Sequence, residues 1–378
     1  MESRSRSTEP FRPPRVTVLM AVYNGMTYLR QAVESILTQT FRDFEFLVIN
    51  DGSTDDSRAI IASYDDSRIR ILDNPENIGL TRSLNRGLAA ARGELIARQD
   101  ADDVSHPCRL EKQVLFLDSR PSVVLVGSQA RFINEWGQPS ISRLWWKANT
   151  PAGIRFQLLF DSPFFHTSTI FRRKVIWGVL RGYDETFKTS QDFELWSRVL
   201  KIYEAANLSE ILVDQRSHPN SVSSNYSSVN AHRVERVFEE NLNTVLGVGH
   251  SYKHWPALWV GVTNPKLQEP CSPPQIFGSI RSIYQAFPKR ELTSDALVEI
   301  KLQYASKLLL AAQLLGRQNR FSSMINILRA FAICPPLIAG ELPRTVASMF
   351  FGRLFIRPSR TSSVLSIATG DRKNRKQC

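Results

Sequence analysis

Residues 16–23 read VTVLMAVY, a nearly unbroken apolar and β-branched run. A strand with one wet face would alternate, so this run predicts a strand covered on both faces. Leu29, Ala32, Val33, Ile36 and Leu37 then recur at i, i+3, i+4, i+7 and i+8, the stripe of an amphipathic helix with Thr27 as its expected N-cap. Phe44 to Ile49 (FEFLVI) gives a second strand. After it, Asp51-Gly52-Ser53 turns into a helix expected to carry Asp55 and Asp56 in its first turn, at the positive end of the dipole. Ile69 to Leu72 reads as a third strand, Leu80, Leu84, Leu88 and Ala91 as one face of a third helix, and Leu95 to Ala97 as the start of a fourth strand.

This βαβαβαβ order predicts an α/β fold: a Rossmann-like open sheet of parallel strands joined by right-handed crossovers, with helices on both faces. If the winding reverses after the third strand, strands 1 and 4 become neighbours, and ligands bind at the carboxyl ends of the strands beside that switch. Three segments are placed there: Tyr23-Asn24, Asn50-Asp51-Gly52, and Gln99 to Asp103. From Arg109 to about Asn225 the pattern is mixed, with strand-like pieces at Val123 to Val126 and Ile211 to Val213 and a helix after Asp192. Beyond about Val229 the chain reads as helical, interrupted by prolines at Pro270 to Pro274 and at Pro335-Pro336. The expected organisation is a disordered basic tail over 1–14, a catalytic domain over 15–225, and a mainly helical C-terminal region with a basic tail over 226–378.

The 378 residues carry a formal net charge of +12, which would suit a nucleic-acid binder if the charge formed a stripe. It is concentrated elsewhere. Between Gly316 and Cys378 there are eleven Lys and Arg against two acids, Glu341 and Asp371. No nucleic-acid motif accompanies them, so nucleic acid is not expected as a partner. Cys108, Cys271, Cys334 and Cys378 form no zinc-like spacing, which points to a reducing compartment. No N-terminal h-region and no run of about 18 apolar residues occurs, so a cytoplasmic protein is expected.

Asp100, Asp102 and Asp103 lie within four residues at the end of a buried strand, where like charges repel unless a cation joins them. Hard divalent ions such as Mn²⁺ and Mg²⁺ favour carboxylate oxygens and let substrate phosphates complete the shell. A solvated acidic turn is the plainer alternative for such a cluster, and the strand-end position argues against it. Asp51 could accept hydrogen bonds from a base or ribose, or simply shape an Asn-Asp-Gly turn. GxGxxG is missing from the first βα turn and GxxxxGK[ST] from the whole chain, which disfavours dinucleotide oxidoreductases and P-loop NTPases.

VTVLMAVYNG, FLVINDGSTDDS, NIGLTRSLNRGL and GELIARQDADD followed by RLEKQ, with His166-Thr167-Ser168 and QDFELW at 191–196, resemble family-2 glycosyltransferases of the GT-A fold. The likeness runs from about Val16 to Asn225. It implies a metal-dependent, inverting transfer of a sugar, with a UDP-hexose as the commonest donor and a glycan or lipid-linked acceptor of cell-surface polysaccharide or lipopolysaccharide synthesis. Asp100 to Asp103 matches the DxD element, with Asp100, Asp102 and Asp103 as metal-site residues and Asp100 and Asp102 facing the donor diphosphate. Ala21, Tyr23, Asn24, Asp51 and Arg82 match positions lining the nucleotide site, and Asp192 matches the general base. Here Gln191 stands where many relatives carry Glu, leaving Asp192 as the acid at that point. A carboxylate in a first helical turn is also stabilised by the dipole alone.

His218 joins the candidate metal ligands. It and His166 precede polar stretches suited to a loop over phosphate, and each is equally consistent with a hydrogen-bonded structural histidine. Arg98 could pair with the acidic cluster or approach the diphosphate. Trp145, Trp146 and Trp196 could stack on a sugar or pack. The sugar nucleotidyltransferases, a rival class, present a Gly-rich basic loop after the first strand, which this chain lacks; a catalytically silent sugar-binding protein would not need Asp100, Asp102 and Asp192 together. Tyr304, Leu308, Leu309, Ala312 and Leu315 form an apolar stripe, and Ser348 to Ile356 and Arg372 to Lys376 add large apolar and basic groups. These suit peripheral contact with an anionic membrane face, or a packed helical subdomain with a solvated tail.

Overall fold

The structure, a computed structural model, describes residues 12–139, 146–219, 231–247, 273–315 and 320–333. Strands β1 (Val16–Val22), β2 (Phe44–Asn50), β3 (Ile69–Asp73) and β4 (Leu95–Gln99) alternate with helices α1 (Met26–Leu37), α2 (Ser57–Ala62) and α3 (Leu80–Ala90). β1 pairs in parallel with both β2 and β4, and β2 with β3, so the winding does reverse after the third strand. β5 (Val104–Ser105), α4 (Arg109–Ser119), β6 (Val123–Ile133), α5 (Pro151–Leu158), β7 (Ile170–Arg172), α6 (Gln191–Ile202) and β8 (Glu204–Arg216) complete an eight-stranded sheet. Its order is β3-β2-β1-β4-β7-β6-β8-β5. The second half is mixed: β7 runs antiparallel to β4 and β6, β6 and β8 are parallel, and β5 lies antiparallel on β8.

The continuous apolar run of β1 is explained by two cores. Val16, Val18, Met20 and Val22 pack with Leu29, Val33 and Ile36 of α1 and with Leu110, Val114 and Leu117 of α4. Leu19, pointing the other way, packs with Leu84 and Leu88 of α3. Gly87 makes that approach possible, since a Cβ there would meet the Leu19 side chain at 2.2 Å. The same core continues through Phe156 and Phe160 into the C-terminal helices α7 (Ala231–Leu246), α8 (Pro273–Ala286), α9 (Ser294–Leu315) and α10 (Arg320–Ile333).

Three local expectations change. α1 begins at Met26, one residue before Thr27, and its cap position is Gly25 with no side-chain cap bond. α2 begins only at Ser57, because Asp55 Oδ1 accepts the Ser57 amide (3.0 Å) and Asp56 takes the cap position. The stripe of Tyr304, Leu308, Leu309 and Ala312 is buried in the core, so α9 covers protein, not lipid. Among the described residues no helix is long and apolar enough to cross a membrane. Cys108 is disulfide-bonded, so the cysteine argument for a reducing compartment loses its force. Trp145, residues 1–11, Ser348 to Ile356 and the Arg372 to Lys376 cluster lie outside the described residues.

Candidate active site

The three loops expected at the switch point do meet. Asn24 takes a left-handed conformation (φ 50) after β1. Its side-chain oxygen accepts the Thr54 amide (2.8 Å) and its own amide donates to Ser53 Oγ (3.1 Å), tying the β1 turn to the loop after β2. Tyr23 beside it is 49% exposed, a ring available to a flat partner. Ala21 is half-buried one residue inside the strand end. Asp51 is buried and accepts from Asn74 Nδ2 (2.7 Å) and the Ile78 and Gly79 amides (both 3.0 Å). Three of its roughly four acceptor positions are thereby used to shape the turn into α3, and one stays open. Arg82, in the first turn of α3, is exposed and 3.5 Å from Glu185.

The acidic turn after β4 is anchored on both sides. Directly beyond it the chain enters β5, whose Val104 pairs with Asp214 of β8. Arg216 closes β8 and clamps the turn: its amide donates to Asp103 Oδ1 (2.7 Å) and its Nε to the Asp102 carbonyl (2.9 Å). Two residues on, His218 Nε2 lies 2.9 Å from Asp102 Oδ2, and its ring lies against Tyr28 at 5.0 Å. Behind the turn stand two fully buried guanidinium groups. Arg98 pairs with Asp100. Arg109 donates to Gln99 Oε1 (3.0 Å), Ser105 Oγ (2.7 Å) and the Arg98 carbonyl (2.7 Å). Burial, reinforced by Arg98, lowers Arg109 to about 9.

Even so, negative charge remains in excess. Burial raises Asp100 despite Arg98, and burial together with Asp102 and Asp100 pushes Asp103 well above the ordinary carboxylate range. A divalent cation would relieve that excess; Asp102 and His218, an oxygen and a nitrogen donor, now face each other at 2.9 Å and would have to part to hold it. Asp100 and Asp103 do not join them in a ready-made cage. Among the described residues no group of three or more His, Cys, Asp or Glu is arranged to hold a metal ion. Mg²⁺ and Mn²⁺ at nucleotide sites usually complete their shell with phosphate oxygens.

Asp192 lies in the first turn of α6, after Ser190 in a left-handed conformation (φ 61). Burial raises its carboxyl; helix amides of Phe193 and Asp192 hold it down, Asp100 adds to the rise and Lys147 opposes it. Glu194 is a packing group, bonded through both oxygens to Arg198 (2.6 and 2.7 Å). His166 is half-buried with Nε2 2.8 Å from Tyr183 Oη, and desolvation with nearby Arg98 holds its imidazole well below the usual histidine range. The fully buried Trp196 packs against its ring. Trp146 is 46% exposed, and its carbonyl accepts from Gln303 of α9 (3.2 Å).

The sequence did not mark Arg216, although an Arg two residues before a candidate ligand His is a usable signal. Arg109 sat within the RLEKQ motif without a role. Nor did the sequence mark the buried group in which Lys147 and Lys307 share Asp161, which joins α9 to this half of the molecule.

Residues 17–180 match the family described as Glycosyl transferase family 2. Over 241 residues the chain is 31% identical to a glycosyltransferase of Haemophilus influenzae, covering 62% of this chain and 75% of that protein. It is 35% identical over 211 residues to the O-antigen biosynthesis glycosyltransferase WbnJ of Escherichia coli, covering 54% and 81%. The solved structure of S. aureus TarS with UDP-GlcNAc superposes with a TM-score of 0.51 at 18% identity, over 82% of this chain and 89% of that one, a likeness of fold.

Proposed function

The chain belongs to glycosyl transferase family 2, and on that premise we propose an inverting, metal-assisted hexosyl transfer from a UDP-sugar to a glycan or lipid-linked acceptor of cell-surface polysaccharide or lipopolysaccharide synthesis. That it is a glycosyltransferase with a GT-A-like α/β sheet follows from the family and the fold. The choice of UDP follows the commonest usage among such enzymes.

One observation carries the mechanism: Asp192 stands in the first turn of α6 within electrostatic reach of Asp100, its carboxyl raised by burial. A carboxylate whose proton affinity is raised toward neutrality is a stronger base for a sugar hydroxyl. Asp192 takes the acceptor proton as the acceptor oxygen bonds to the anomeric carbon. The bond from that carbon to the diphosphate breaks on the opposite face, so configuration inverts, and Asp192 later returns its proton to water. Bound Mn²⁺ or Mg²⁺ supplies Lewis-acid stabilisation of the departing diphosphate. Asp102 and His218 are its proposed protein ligands, with Asp100 and Asp103 supplying charge beside them. Tyr23, Asn24, Ala21, Asp51 and Arg82 line the nucleotide side, Tyr23 through its open ring and Asp51 through its one open acceptor position.

Asp192→Asn keeps size and removes the base. Transfer should fall about a thousandfold, while the thermal shift given by UDP-sugar with Mn²⁺ stays as in wild type. Unchanged turnover would remove Asp192 from the mechanism. The proposal also places the enzyme in the cytoplasm with peripheral contact at the inner face of the membrane. The reading gives that contact to residues 334–378, which hold the Arg372 to Lys376 cluster.

A further inference from the structure

Trp136 is 75% exposed, the most open large apolar side chain among the described residues. A single exposed apolar residue needs no explanation by itself. This one stands on an unusually well-fixed turn. Asn134 Oδ1 accepts the amides of Trp136 (3.1 Å) and Gln138 (2.9 Å), and the Asn134 carbonyl accepts the Gly137 amide (3.0 Å). Gly137 supplies the left-handed conformation (φ 79) the turn requires. A β-bridge between Ile133 and Pro139 closes its base.

The turn is also joined to the acidic turn by one side chain. Arg216 Nη1 donates to the carbonyls of Asn134 (3.0 Å) and Glu135 (3.2 Å), while its Nε holds the Asp102 carbonyl (2.9 Å). The loop that presents the indole and the loop that presents the carboxylates therefore lie within the span of a single guanidinium, whose central carbon is 4.5 Å from the centre of the Tyr28 ring. An aromatic face costs little entropy to hold in place, and the apolar C–H face of a pyranose ring stacks on it with its hydroxyls still wet.

We propose that Trp136 is a specificity-determining platform for the acceptor: its indole stacks on a sugar ring of the acceptor glycan as the acceptor hydroxyl reaches the anomeric carbon. This rests on the glycosyltransferase mechanism proposed above. It assigns to a residue outside the nucleotide and base positions the contact that selects a sugar-containing acceptor over water.

The test uses the full chain with UDP and Mn²⁺ and a panel of p-nitrophenyl hexosides as acceptor probes, read by saturation-transfer NMR and calorimetry. Trp136→Ala should weaken the strongest-binding hexoside at least tenfold, and Trp136→Phe, which keeps an aromatic face, by less than threefold. Slow hydrolysis of the UDP-sugar, in which water replaces the acceptor, should be equal in wild type and both variants. Equal hexoside affinity in Trp136→Ala and wild type overturns the proposal, as does wild type binding no hexoside while it still binds UDP. A fall in hydrolysis matching the fall in hexoside binding would also overturn it, since it would make Trp136 a support of the fold. If wild type binds no UDP at all, the underlying mechanism fails along with it.

Discussion

Two clusters of charge sit within electrostatic reach of Asp192, and they are built to opposite ends. At the end of β4, Asp100, Asp102 and Asp103 meet the buried Arg98 and Arg109, and the carboxyls of Asp100 and Asp103 are still raised. Below α5, Asp161 is shared between Lys147 and Lys307; burial alone would raise it, yet the two ammonium groups hold it below the ordinary carboxylate range. In the second cluster burial wins at Lys147, whose ammonium is lowered despite Asp161. A cluster that satisfies its own carboxylate is a structural joint. A cluster that leaves its carboxylates short of positive charge has room for a cationic ligand. The first cluster sets three carboxylates against two guanidinium groups and the second one carboxylate against two ammonium groups, and the direction of the carboxyl shift follows that balance.

Opposite signs of mutational effect would test that distinction most severely. Asp161→Asn leaves two buried ammonium groups without their carboxylate and should cost about 3–5 kcal/mol in urea unfolding. In metal-free buffer Asp103→Asn removes a charge that is already unfavourable and keeps an acceptor for the Arg216 amide (2.7 Å). It should leave stability unchanged or raise it by about 1 kcal/mol. Equal losses for the two variants would dissolve the contrast. Acid should discriminate in the same sense: the stability that the depressed Asp161 contributes is present at neutral pH and lost as pH falls below about 4.

Arg216 comes next in size. With Asp102 and the turn at Asn134 both held by its guanidinium, Arg216→Gln should raise the donor KM about tenfold to thirtyfold, equivalent to about 2 kcal/mol. Its effect on kcat should be smaller, because Asp192 stands on a different element. A variant with wild-type donor KM would show that the acidic turn holds its shape without β8. Smaller again is the pH effect. Asp192 must be deprotonated to act, and its carboxyl is raised. The logarithm of kcat/KM should therefore climb with slope near one up to an apparent pKa above the ordinary carboxylate value of about 3.9, then level off. A plateau already complete at pH 4 would contradict this.

The two clusters also show why sequence reveals one site and hides another. Asp100, Asp102, Asp103, Arg98 and Arg109 fall within one strand, turn and helix, so their nearness could be read from the sequence. The alternation of β1 to β4 with three helices was equally local; the reversal after β3 that makes β1 and β4 neighbours is seen only in the structure. Lys307 and Asp161 are 146 residues apart, and no spacing rule connects them. Arg216 meets Asp102 across 114 residues, again only through the sheet. The late start of α2 has a different origin: Asp55 has the composition of a first helical turn, but its carboxylate reaches the Ser57 and Met26 amides (3.0 and 3.1 Å) and caps from outside.

The smallest expected effect concerns the C-terminal helices, whose spacing left two covers open, an anionic membrane face or a packed helical subdomain. Tyr304, Leu308, Leu309 and Ala312 do share one face, but a stripe says only that something covers it. In the structure that cover is the core, and α10 adds Ile327 and Ala330 to the same cluster. A truncation at Gly316 would remove α10 and expose α9, so loss of liposome binding after it would report unfolding. Removing only residues 334–378 leaves both helices and takes away the Arg372 to Lys376 cluster. If that cluster makes the membrane contact, the truncated protein should bind phosphatidylserine liposomes several-fold more weakly at about 0.1 M salt and match the full chain at about 1 M, where screening removes the attraction. Equal binding at both salt concentrations would assign any membrane contact to the folded body of the enzyme.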